Sequence, residues 1–157
     1  MGKTVCFTGH RQLADADYGR INTLTYQAVE EQIQNGADVF RAGGALGFDT
    51  LAALNVLLLR KKYPHVKLEL ILPCPTQTRG WSLNDTILYE QILSQADSHR
   101  YISQHYWNGV LQLRNRALVE GSDVCIAYLQ SSHGGAAFTT ALALRKGLEV
   151  INLYDLL

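Results

Sequence analysis

Short apolar runs alternate along this chain with longer stretches in which apolar residues recur at three- and four-residue spacing. Residues 3–8 form a continuous β-prone run through Val5, Cys6 and Phe7, which predicts a buried strand opening into a turn at its carboxyl end. Residues 18–35 carry Ile21, Leu24, Ala28, Val29 and Ile33 at helical spacing and meet Gly36, a C-terminal stop. A second strand is predicted over 38–42. It runs into Gly43, Gly44, Ala45, Leu46 and Gly47, and then into a helix with Leu51, Leu54 and Leu58 on one stripe. Lys61 and Lys62 fall in the last turn of that helix, where cations complement the helix dipole. Residues 66–72 give a third strand, with a rigid exit through Pro73, Cys74 and Pro75. Asn84 or Asp85 is placed to cap a helix reaching about Ala96. The span 98–106 shows no clear pattern. Val110, Leu113, Leu118 and Val119 mark another helix, which Gly121 ends. Residues 124–129 are an apolar run; Ser132 and His133 then lead into Gly134, Gly135 and a small-residue helix, and residues 149–153 supply a last strand.

Strands alternating with amphipathic helices imply parallel β-α-β units. The expected fold is therefore α/β: a Rossmann-like three-layer sandwich with a mostly parallel central sheet and helices on both faces. A length of 157 residues suits a single domain over 1–157, and 47% apolar residues suffice to cover a sheet on both faces. There is no internal repeat and no low-complexity segment. The 14 basic and 14 acidic residues are scattered and the formal net charge is +0, so the electrostatic footprint of a dedicated nucleic-acid binder is missing and no nucleic-acid partner is expected. Cys6, Cys74 and Cys125 lie far apart and outside any CxxC or Cys/His cluster. They read as buried free thiols in a reducing cytosol, with no metal site. The first residues enter a strand pattern with no signal-peptide core, and no apolar run reaches membrane-spanning length. A cytoplasmic location and no membrane partner are expected.

In open parallel sheets, ligands bind beyond the carboxyl ends of the strands, where the strand order reverses. Three candidate turns fall at that end. Gly9, His10 and Arg11 close the first strand; His10 reads either as a satisfied structural group or as a ligand contact. The turn holding Gly43, Gly44 and Gly47 is not GxGxxG, and no acidic residue about twenty positions on completes a dinucleotide fingerprint. Asp49 would suit ribose hydroxyls, or would simply stabilise a helix N-terminus. Gly134 and Gly135 let backbone amides approach a phosphate without a Cβ in the way, or they serve close helix–sheet packing together with Ala136, Ala137, Ala141 and Ala143. Thr139 and Thr140 add hydroxyl donors in the first turn, or back-bond to helical carbonyls. Arg114 is a candidate bidentate phosphate clamp; its alternative is a salt bridge on a solvated face. With no Walker A motif and no supported catalytic triad, no cofactor is expected.

Thr8 to Arg11, Gly43 to Asp49, Arg114 and Asn115 with Ser122 and Asp123, and Gly134 and Gly135 with Thr139 and Thr140 occur in order over nearly the whole chain. Together they resemble the YpsA-like branch (DUF1273) of the SLOG superfamily. The resemblance implies a Rossmann-like fold, usually self-associating, whose two glycine turns and intervening arginine form a pocket for a nucleotide or nucleotide derivative. Relatives include the Lonely-guy phosphoribohydrolases, which cleave the N-glycosidic bond of nucleoside monophosphates, and the DNA-processing protein A domain, which binds single-stranded DNA. By position, Arg114 matches the arginine preceding the last core strand of the hydrolases, and Gly134 and Gly135 match their phosphate-binding glycines. The glutamate that follows the glycine pair in the hydrolases is absent: Thr139, Thr140 and Ala141 stand there, while an oxocarbenium-like transition state calls for a carboxylate. Ala136 and Gln12 replace a usual threonine and proline. The expectation is thus a sensor or sequestering protein for a phosphorylated, nucleotide-like small molecule, homo-oligomeric and with no catalytic residue assigned. A phosphoribohydrolase-type enzyme drawing a carboxylate from Asp49 or Glu90 is the alternative, and a single-stranded nucleic-acid binder the second, against which the neutral charge weighs.

Overall fold

A strand that is apolar at every position needs cover on both faces, and that requirement sets the layering here. The computed structural model describes residues 2–130 and 133–157, so Ser132 lies outside the described residues. β1 (Lys3–Gly9), β2 (Ala37–Ala42), β3 (Lys67–Leu72), β4 (Ser98–Tyr101), β5 (Val124–Tyr128) and β6 (Glu149–Asn152) form one sheet in the order β4-β3-β2-β1-β5-β6. Every neighbouring pair is parallel. The helices α1 (Asp15–Gln34), α2 (Phe48–Lys62) and α3 (Leu83–Gln95) connect strands that step one way from β1. Right-handed crossovers place them on one face. The chain then steps back, so α4 (Val110–Val119) and α5 (Gly135–Arg145) cover the other.

The two faces have separate cores, because successive residues of a strand point to opposite sides. Phe7 joins Phe40, Phe48, Leu51 and Val56 under α1 to α3, whereas Cys6 joins Ile71, Leu118, Cys125, Leu142 and Ala143 under α4 and α5. Cys6 and Cys125 face each other in register across β1 and β5, and these two thiols and Cys74 are buried and free. The strand order reverses between β1 and β5, which puts the switch point, and hence the expected ligand crevice, at Gly9 to Arg11 and at the turn entering α5. Among the described residues, no helix is long and apolar enough to cross a membrane.

Two elements differ from expectation. Helix α3 is capped by Ser82, whose Oγ accepts from the Asp85 N–H at 3.1 Å, and not by Asn84 or Asp85; a cap must sit just outside the helix with its oxygen turned back on the first turn. The unpatterned span 98–106 contains β4, a four-residue exposed edge strand. It is secured at its entry by Asp97. The N–H of Asp97 donates to the Leu68 carbonyl at 2.9 Å, and its carboxylate takes the Leu68 N–H at 2.7 Å and the Arg60 guanidinium at 2.8 Å. An edge strand held this way needs no apolar signature.

Candidate functional site

The two glycine turns look alike in sequence and are opposites in structure. At the first, the protein itself has filled the space. A Cβ on Gly9 would stand 2.5 Å from the Phe48 ring, one on Gly44 would meet Leu72 at 2.5 Å, and one on Gly47 would meet the Arg11 carbonyl at 2.2 Å. The N-terminus of α2 is closed: the Phe48 N–H donates to the His10 carbonyl at 3.0 Å, and the Asp49 carboxylate accepts from the Ala45 N–H at 3.2 Å. At the second turn, a Cβ on Gly134 would meet nothing within 4 Å, and one on Gly135 would meet only Asn115 Nδ2 at 3.6 Å. Among the described residues, no side chain caps α5 and none accepts from the N–H groups of Gly135, Ala136 and Ala137. Unused first-turn donors at the positive end of a helix form an anion site. The closed turn therefore builds the wall, and the open one is available to a guest.

Between them lies a cleft of about 300 Å³ lined by Gly9, His10, Arg11, Ala45, Asp49, Leu111, Arg114, Asn115, His133, Gly134 and Gly135, among others. Arg114 is 5% exposed, so its charge must be answered by the protein. Its Nη1 donates to the Gly43 carbonyl and its Nε to Asn115 Oδ1 at 2.9 Å, while Nη2 makes no hydrogen bond to a described residue. The bond from Arg114 turns the Asn115 amide so that Nδ2, a donor, lies beside Gly135. Asp49, also buried, is the nearby carboxylate. Burial pushes its pKa up, and the Arg114 charge and the Ala45 amide offset part of that rise. Burial likewise lowers the pKa of Arg114, against the pull of Asp49. The guanidinium keeps its proton at neutral pH, so the cleft floor carries a buried cation with Asp49 nearby.

His10 is tied to the far wall. Its Nε2 accepts the Gln130 N–H at 2.7 Å, its backbone N–H donates to the Tyr128 carbonyl at 3.3 Å, and its ring meets Tyr128 edge to face at 6.0 Å. Thr139 and Thr140 are not brought to the cleft with the rest. Their hydroxyls donate backwards, to the Gly135 carbonyl at 2.9 Å and the Ala136 carbonyl at 2.7 Å. Gly43, Gly44 and Gly47 shape the floor without lining it, and Glu90 is exposed on α3, outside the lining.

A second concavity of about 350 Å³ adjoins the cleft, sharing Arg11 and Leu111 with it. Its walls are Pro73, Cys74, Thr76, Gln77, Arg79, Trp81 and Tyr106. Tyr106 ends the span 98–106 that shows no clear pattern, and Trp81 lies in the loop between β3 and α3, so the sequence pattern singles out neither. The available signal was an aromatic residue in a polar loop at the carboxyl edge of the sheet, where loops carry function.

Residues 6–152 match the model of the YpsA family, described as the YspA SLOG family. The chain belongs to this family. A relative within reach of this YspA SLOG family chain is a UPF0398 protein of Brevibacillus brevis, 34% identical over 122 residues, covering 72% of this chain and 65% of that protein. Another is a UPF0398 protein of Bacillus thuringiensis, 30% identical over 126 residues, covering 78% of this chain and 68% of that protein. A further match, from Levilactobacillus brevis, covers only 44% of its partner, so the chain spans roughly half to two thirds of the length of these relatives. Among solved structures, DNA processing protein A from Helicobacter pylori, described for its single-stranded DNA binding mode, superposes with a TM-score of 0.65 at 22% identity, over 94% of this chain and 63% of that one. DNA processing protein A from Streptococcus pneumoniae gives 0.65 at 17% identity, over 95% and 49%. These establish the Rossmann-like fold. They also overturn the expectation that a neutral chain has no nucleic-acid partner, since the same fold serves a protein that binds single-stranded DNA. Net charge sums over the whole surface, whereas a strand is held by the local groove.

Proposed function

We propose that the cleft binds a nucleotide or nucleotide-derived phosphorylated small molecule, and that the protein senses or sequesters it. The observation that carries this reading is the open turn at Gly134 and Gly135, whose first-turn amides no described residue uses, lining one cleft at the switch point of the sheet with a buried arginine whose Nη2 has no hydrogen bond to a described residue. A phosphate there takes backbone N–H groups from α5, a side-chain N–H from Asn115 and charge from Arg114 and Arg11. The carboxylate lining the same cleft, Asp49, is buried and hydrogen-bonded to the Ala45 amide, a wall-building role that supports binding over turnover.

The test is calorimetric titration with nucleoside mono-, di- and triphosphates, repeated on Gly135→Val, which fills the open turn. Binding to the wild type that is lost in the variant supports the proposal; no binding to any of them ends it. Release of free base from a nucleoside monophosphate, lost in Asp49→Asn, would instead establish the hydrolase alternative. A second reading, binding of single-stranded nucleic acid, is favoured by the fold shared with DNA processing protein A and by the aromatic concavity beside the cleft. A gel shift with an oligonucleotide, weakened by salt, tests it.

A further inference from the structure

The second concavity is built differently from the cleft, and the difference points to a different part of a ligand. Arg11 and Arg79 are exposed at its rim, Leu111 lies on the side shared with the cleft, and Trp81 and Tyr106 supply aromatic faces. Trp81 is a fixed wall. It stands edge-on to Tyr89 at 5.6 Å between centroids and 89° between planes, and Tyr89 is itself 8% exposed. A buried ring packed against the indole supports it, while Trp81 still lines the concavity. Tyr106 is 62% exposed, so its ring is open to a stacking partner. One packed and one exposed aromatic side chain, with guanidinium groups at the rim, suit a flat heteroaromatic ring attached to an anion.

We infer that this concavity is a base subsite: it takes the nucleobase of a ligand whose phosphate rests on the N-terminus of α5, with Arg11 bridging the two. This inference rests on the proposed phosphate site and adds to it the part of the ligand that discriminates. The chemistry is a purine or pyrimidine joined through sugar to phosphate, supplied either by a free nucleotide or by a single strand.

The experiment compares ribose 5-phosphate, which carries the anchor alone, with AMP, ADP and a short oligothymidylate. Each is titrated into wild type, Trp81→Leu and Tyr106→Ala. Stacking on one aromatic side chain predicts a loss of roughly ten- to a hundredfold in affinity for the base-bearing ligands in either variant, with ribose 5-phosphate unchanged. Tyr106→Ala guards against misfolding, because Tyr106 lies mostly in solvent. Trp81 and Trp107 are the two tryptophans, so Trp107→Phe leaves Trp81 as sole reporter, and base-bearing ligands quench its emission whereas ribose 5-phosphate does not. If AMP or the oligonucleotide binds with the same affinity in both variants and leaves Trp81 emission unchanged, the base subsite is wrong while the phosphate site stands. If ribose 5-phosphate and all base-bearing ligands fail to bind wild type, both fall. Preference for AMP and ADP over the oligonucleotide assigns the subsite to a free nucleotide, and the reverse order assigns it to a strand.

Discussion

Replacing Gly135 with alanine separates a glycine kept for packing from one kept for a guest. Gly135 is the first residue of α5, its φ lies outside the left-handed region, and an added Cβ meets only Asn115 Nδ2 at 3.6 Å, an ordinary contact. Where the fold accepts it, alanine for glycine stabilises by about 0.4–1 kcal/mol, chiefly by restricting the unfolded chain. For a chain of this length that is a rise of roughly 1–4 °C in Tm. The same methyl group projects beside the first-turn amides. An anion that loses one or two charge-assisted hydrogen bonds there, each about 1.5–3 kcal/mol, binds at least tenfold more weakly. Gly9→Ala is the contrasting variant: its Cβ would lie 2.5 Å from the Phe48 ring, an overpacking that costs about 1–3 kcal/mol. Thermal melts and nucleotide titrations on both variants provide the readout. The expected result is a Gly135→Ala protein more stable than wild type and poorer at binding. A Gly135→Ala protein destabilised like Gly9→Ala, or one that binds nucleotides as tightly as wild type, would falsify the assignment of the open turn.

Arg114→Ala should destabilise the fold by roughly 3–5 kcal/mol, since it strands the Gly43 carbonyl, Asn115 Oδ1 and the buried Asp49; urea midpoints measure this, and wild-type stability would disprove the buried clamp. Burial raises the Asp49 pKa above the ordinary carboxylate value, so the folded state holds that proton more tightly than the unfolded state. Its contribution to stability therefore falls as pH rises from the ordinary carboxylate range through the raised folded value. Asp49→Asn removes this decline, and parallel urea titrations across the acidic to neutral range should show the two curves diverging. His10→Phe keeps a ring against Tyr128 but removes the acceptor for the Gln130 N–H. Hydrogen exchange at that amide should speed up roughly two- to tenfold, matching a bond worth about 0.5–1.5 kcal/mol, and an unchanged rate would refute the tie between His10 and the far wall.

The layered fold was legible because β5 is apolar throughout, β1 and β3 hold short apolar runs (Val5 to Phe7 and Leu70 to Leu72), and the helices are striped; those patterns are local. Edge strand β4 was not, because Asp97 and the pairing with β3 hold it, and neither leaves a mark in residues 98–101. At the site, the positions of Gly9, Gly43 and Gly134 could be read, but their roles could not. Whether a glycine faces a void or a neighbour depends on Phe48, Leu72 and Arg114, which arrive from distant parts of the chain. Thr139 and Thr140 show the same limit: a hydroxyl one turn into a helix has a carbonyl always within reach.

The three thiols make the chain its own reporter of opening. Cys6 and Cys125 sit side by side on the adjacent inner strands β1 and β5, and Cys74 sits between two prolines in the wall of the base subsite; all three are out of solvent. A thiol-alkylating reagent reaches the first pair only when the middle of the sheet parts, and reaches Cys74 when that wall alone gives way. Labelling rates read by mass spectrometry would then time two separate motions in the unmutated protein. A ligand lodged against the wall should slow Cys74 selectively and so reveal its own seat.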